Sequence, residues 1–168
     1  MKSTELFNER IIRQIKNGWI AQNKLISDFM NKYADEAYET QVAPERNRAL
    51  YILGHVVSAS DGLFPMFGAG ERKYPELEKL FTNNPDRTFV GEYPSITSLR
   101  IMWNDINEKL SSLFESMTTE DWMSKHTKVS EEDFKTDPLR NKLNVLIGRI
   151  THMNYHLGQL NISPLTKA

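Results

Sequence analysis

Apolar side chains recur every three or four residues along four long stretches of this 168-residue chain, the spacing of one buried face of an α-helix. The first stretch covers about residues 4–33, with Phe7, Ile11, Ile15, Trp19, Ile26, Met30 and Tyr33 in phase and Thr4 placed to cap it. The second covers about 45–67 and carries Leu50, Leu53, Val56, Val57, Phe64 and Phe67. Pro44 opens it, Gly68-Ala69-Gly70 closes it, and Pro65 is expected to kink or end its last turn. The third runs from a Ser95 cap to about 117 on Leu99, Met102, Ile106, Leu110, Leu113 and Met117. The fourth is expected to begin at Asp137-Pro138, with Asp as cap and Pro in the first turn. It continues through Leu139, Leu143, Leu146, Ile150, Met153 and Leu157 to about 160, and Ser163-Pro164 ends it.

No stretch reads as a convincing strand; 38–42 and 88–93 come nearest, and both are short and isolated. Four amphipathic helices therefore predict an all-α helical bundle, organised as one domain over residues 1–168. The connection over 68–94 is long enough to cross a bundle, with a short helix expected at 75–81. The second long connection, 118–136, holds one capped helical turn at Thr119-Glu120-Asp121-Trp122.

Composition narrows the function classes. A net charge of -1 argues against a nucleic-acid binder built on a basic patch and against a polybasic membrane-surface protein. The absence of cysteine excludes disulfides, thiolate zinc sites and a cysteine nucleophile, and it fits an intracellular setting. The first residues, Met1-Lys2-Ser3-Thr4-Glu5, do not lead into a signal-peptide core, and no apolar run is expected to approach the roughly 20 residues of a membrane span. A cytoplasmic protein acting on a small molecule, away from membranes and nucleic acid, is the expectation.

Chemistry concentrates in the histidines, of which there are four. His152 and His156 stand one helical turn apart on the same face. Taken alone, such a pair is better explained by one core imidazole and one exposed one. His55 on the second helix changes the balance, because three imidazoles with an open fourth position can hold a catalytic divalent ion. On a helical wheel Val145, Gly148, His152, His156 and Gln159 form a stripe beside the aliphatic seam, leaving Arg140, Asn144, Thr151 and Gly158 for solvent. Gly148 is expected to relieve crowding beside His152, and Gln159 either orients an imidazole or frays with the helix end. His126, among lysines in a charged link, is expected at the surface and outside the site.

Two motifs then carry a family likeness. Asn47-Arg48-Ala49-Leu50-Tyr51-Ile52-Leu53-Gly54-His55, followed much later by His152-Met153-Asn154-Tyr155-His156-Leu157-Gly158-Gln159, resembles the DinB/YfiT-like superfamily of metal-dependent enzymes. The resemblance implies a four-helix bundle in up-down-down-up order, a divalent metal on His55, His152 and His156, and a homodimer. It also implies activities of the kind known there: S-transfer using a low-molecular-weight thiol, isomerisation, or hydrolysis. The DNA-damage name of that family refers to induction and implies no DNA binding.

A three-histidine ion can lower the pKa of bound water or of a bound thiol, so hydrolysis and thiol transfer both fit, with thiol transfer ahead. A non-catalytic metal-binding or dimerisation module is the alternative. Zinc, nickel, copper, iron and manganese all accept imidazole. No side chain is singled out as general acid or base: Asp61 points away from the His55 face, and Asp105 and Glu108 read as solvated charge. Tyr51 and Tyr155 either line a pocket or pack. Trp19 and Trp103 read as core, with Trp122 as core or a pocket lid, and the methionines as core filling.

Overall fold

A computed structural model describes residues 2–167, and these are helical with no strand among them. The α-helices are α1 (Lys2–Met30), α2 (Ala49–Asp61), α3 (Leu63–Phe67), α4 (Glu76–Phe81), α5 (Ile96–Ser116), α6 (Thr119–Met123), α7 (Glu131–Thr136) and α8 (Lys142–Asn161). Short 3-10 turns occupy Asp35–Glu39 and Pro164–Lys167. The all-α expectation is borne out, and the four long stretches correspond to α1, α2 with α3, α5 and α8.

The ends of these helices differ from expectation for identifiable reasons. Thr4 lies inside α1 rather than capping it, and α1 stops at Met30 rather than at Tyr33. There the Asn31 amide donates to the Ser27 carbonyl at 2.7 Å and Arg100 Nε donates to the Met30 carbonyl at 2.7 Å, so side chains satisfy the orphan acceptors. The second helix starts four residues late because residues 42–47 fold into a turn, with Glu45 at φ 59 and Val42 N–H on the Asn47 carbonyl. Asp86 then takes the Arg48 backbone N–H at 2.8 Å together with its guanidinium, which also reaches Glu39 at 2.6 Å.

Pro65 acts as expected on the second helix. It has no N–H for the Asp61 carbonyl, and the helix breaks at Gly62 before resuming as α3. Gly68 closes α3 at φ 73, where a glycine has no steric penalty. At the fourth helix, Asp137-Pro138 instead makes a turn, with the Asp137 carboxylate accepting from Leu139 N–H. Asn141 is the cap, accepting from Asn144 N–H at 2.9 Å, so α8 begins four residues later than its expected first turn. Ser95 caps α5 as expected, and Thr118 with Asp121 forms a capping box on α6.

Pairwise contacts give the helices their relative senses. Along α1 and α5 the partners run in opposite directions: Lys16 with Glu115, Asn23 with Asn107, Ser27 with Trp103, and Met30 with Arg100. Along α2–α3 and α5 they run together, from Leu50 beside Ile96 to Phe67 against Phe114. The start of α8 is tied to Ser124, and the neighbouring Thr127 N–H binds the Met66 carbonyl. His156, near the other end of α8, faces Tyr51 and His55, so α8 runs against α2.

Helix α2 is apolar on nearly every side and lies buried among its neighbours. The Ala49–Phe67 stretch is, by length and composition, apolar enough to cross a membrane, contrary to the reading of the sequence; 78% of that window is buried inside the protein. At the C-terminal end of α2, Asp61 accepts the N–H groups of Lys73 and Tyr74, which anchors the loop after α3. Trp19, Trp103 and Trp122 are all core, with Trp122 packed on Phe67 and Phe114 rather than acting as a lid.

Gly148 corrects another expectation. It is exposed, and a Cβ there would meet nothing within 4 Å, so it relieves no crowding at the histidines. Gly148→Ala is therefore expected to stabilise the protein by up to about 1 kcal/mol, read from the thermal midpoint, with metal binding unchanged.

Candidate metal centre

The three histidines chosen from the sequence come together, while the fourth does not. His55 on α2 and His152 and His156 on α8 can each offer one ring nitrogen, and these atoms all lie within 4.8 Å of one another. His152 Nε2 is 3.0 Å from His55 Nε2 and 3.0 Å from His156 Nε2. Two imidazoles on a tetrahedral zinc, at about 2.0–2.1 Å each, place their nitrogens about 3.3 Å apart. A slight spreading of the rings thus makes room for an ion.

Two of the rings are already turned the way a metal needs. His55 Nδ1 is 2.7 Å from the Phe81 carbonyl, which can only accept, so Nδ1 carries the proton and Nε2 presents its lone pair. Phe81 is the last residue of α4, and its carbonyl is one that a helix C-terminus leaves unpaired. It reaches His55 because the Phe81 ring lies directly on Gly54, where an added Cβ would stand 2.3 Å from the ring. On α8, His156 Nδ1 donates to Gln159 Oε1 at 2.8 Å, while the Gln159 amide donates to the Tyr155 hydroxyl at 3.2 Å. Gln159 therefore orients an imidazole, and its place one turn after His156 was the visible signal.

His152 is different. The nearest partner of its Nδ1 is Nη1 of Arg149 at 3.4 Å, a group with protons only to give. Reading the sequence missed Arg149, since an arginine in the first half of an amphipathic helix looks like surface charge.

Burial lowers the proton affinity of all three rings. Desolvation is the main cause for each, and His152, with Arg149 beside it and the other two imidazoles close by, is pushed down to about 3. The triad is thus neutral near neutral pH, the form in which imidazole binds metal. A cavity of about 200 Å³ adjoins it, lined by Asn47, Tyr51, Ile52, Phe81 and Thr82 with His55 and His156. No carboxylate is among these lining residues. Tyr51 donates its hydroxyl to the Asn84 carbonyl at 2.5 Å.

The other sequence candidates lie elsewhere. Asp61 holds the loop after α3, and Asp105 pairs with Lys109 and Tyr74. Tyr155 is exposed and touches His156 edge-on. His126 stays outside the triad but is half-buried rather than superficial, and burial with Arg140, Lys128 and Lys125 nearby lowers its proton affinity.

No family model matches the chain, and no curated protein matches it. The geometry shows a three-histidine group that can hold a metal ion.

Two outcomes follow from the geometry. Gly54→Ala drives a methyl into the Phe81 ring, and overpacking should cost about 1–3 kcal/mol in urea unfolding. The same change should weaken metal binding, because the Phe81 carbonyl moves off His55; binding equal to wild type would contradict that coupling. For pH, the folded triad takes protons less readily than the unfolded chain, so the unfolded state binds more protons below the ordinary value of 6.5. The triad's contribution to the stability of the metal-free protein is therefore fully present above that value and is lost as pH falls, for His152 towards about 3. The thermal midpoint should track this decline, and His152→Gln should flatten it.

Proposed function

We propose that this chain is a DinB-like, divalent-metal-dependent enzyme acting on a small molecule, with thiol-dependent S-transfer favoured over hydrolysis. The observation that carries the reading is the convergence of three neutral imidazoles, two with their outer nitrogens already bonded to acceptors, beside a cavity. The senses of the helix contacts support the up-down-down-up four-helix bundle of that family: α1 against α5, α5 along α2, and α2 against α8. Exposed Leu6, Phe7, Ile20 and Leu25 along α1 favour a homodimer. A chain with no cysteine and a net charge of -1 favours a cytoplasmic protein that binds neither membranes nor nucleic acid.

His55, His152 and His156 would hold the ion, with zinc, nickel, iron and manganese all compatible with imidazole. A divalent ion there supplies Lewis acidity, which activates a small thiol or water as nucleophile. The chain's own residues do the rest. The Phe81 carbonyl and Gln159 fix two ring orientations. Ile52 and Phe81 give the cavity an apolar wall, and Asn47 and Thr82 offer it polar groups. A co-substrate thiol suits a protein with no cysteine of its own. The second reading, a non-catalytic metal module, is favoured by the lack of a carboxylate in the cavity lining.

Purification without a His-tag followed by metal analysis tests the site. About one ion per chain is expected, lost in His152→Ala; equal, negligible metal in both proteins rejects it. Turnover of an electrophile with a panel of small thiols should vanish on chelation and return with metal. Stoichiometric metal without metal-dependent thiol transfer or hydrolysis would leave the non-catalytic module standing.

A further inference from the structure

Arg149 is a cation without a counter-ion. Its Nε is buried and has no hydrogen-bond partner, and its Nη1 faces His152 Nδ1 at 3.4 Å. Among the described residues no carboxylate pairs with it. The charged group that bears most on it is another cation, Arg72, which is itself engaged by Glu78 and the Ser58 carbonyl. Burial and Arg72 together depress the Arg149 guanidinium to about 10, an unfavourable setting for a charge unless an anion joins it.

The same place lacks an acceptor for His152. His55 and His156 each donate from Nδ1 to an oxygen, which leaves Nε2 bare. His152 Nδ1 instead meets an N–H donor, which favours the tautomer with the proton on Nε2, between the other two rings. In that form His152 Nε2 donates to its neighbours and offers no lone pair to an ion until the proton moves to Nδ1. One missing group answers both needs: an oxyanion whose oxygens accept from Arg149 and from His152 Nδ1–H.

We infer that Arg149 and His152 Nδ1 form a binding subsite for a small carboxylate, on the outer side of the His152 ring, and that filling it readies His152 for metal. The planar guanidinium fork matches a carboxylate in two-point contact. The carboxylate gives the third imidazole the acceptor the other two already have, and it balances charge when a divalent cation enters a triad with no acidic ligand. This rests on the metal reading for its second half only; the anion subsite stands or falls without an ion.

The probe is acetate, titrated into metal-free protein while the ring nitrogens of His152 are followed by 15N NMR. In wild type the proton should move from Nε2 to Nδ1 as acetate binds. Arg149→Gln should abolish the change, and Arg149→Lys, which keeps the charge without the fork, should weaken it; circular dichroism checks that both variants fold. A His152 that ignores acetate in wild type, or responds equally in Arg149→Gln, overturns the subsite.

A chelator competition then measures zinc affinity with and without acetate. Tightening of about tenfold in wild type, absent in Arg149→Gln, supports the coupling. Zinc that binds with the same affinity in both buffers overturns the coupling and leaves the metal site intact. A His152 that answers acetate in a protein that never takes zinc supports the anion subsite and rejects the metal reading.

Discussion

Burying three imidazoles against one another between α2 and α8 forces them to be neutral, and the rest of the centre follows from that constraint. A protonated ring here would face two neighbouring rings and Arg149 with no carboxylate nearby. Neutral rings each have one donor and one acceptor nitrogen, so each must be told which is which. For His55 the instruction comes from the free C-terminal carbonyl of α4, and for His156 from an amide one turn along its own helix. The fold thus spends a helix end and a glutamine on the orientation of two rings.

The position of α4 shows how packing reaches the chemistry. Gly54 has no side chain, so the Phe81 ring settles on the α2 backbone and brings its carbonyl to the residue next to Gly54. Any larger residue at 54 would lift α4 and separate His55 from its acceptor. Asp61 and Arg48 hold the two ends of the same helix, through the loop after α3 and through Asp86. Helix α2 is therefore pinned at both ends and in the middle, which keeps His55 in register with α8.

How much of this was legible in the sequence depends on where each instruction is written. Apolar spacing located α1, α5 and α8 because each buries one stripe against neighbours, and the i, i+4 spacing of His152 and His156 survives any error in the helix ends. The starts of α2 and α8 were misplaced because proline and aspartate make turns as readily as first helical turns; here Asp86 holds the Arg48 N–H just ahead of α2, and Asn141 caps α8. Helix α7 left no trace because it buries no residue and has no stripe to detect. Gly148 was misread because a helical wheel gives direction along one helix and not the depth of the neighbours facing it. The Phe81 carbonyl and Arg149 were out of reach for a related reason: a backbone acceptor 26 positions away and an unpaired charge become visible only when the partners are in place.

The central claim is that the protein binds a divalent ion through Nε2 of His55, His152 and His156. X-ray absorption at the zinc edge of zinc-loaded protein, with each histidine replaced in turn by alanine, measures this directly. The account predicts three imidazole nitrogens at about 2.0–2.1 Å in wild type and one fewer in each variant that still retains zinc. A wild-type spectrum dominated by oxygen ligands, or one unchanged by loss of any of the three histidines, would contradict it.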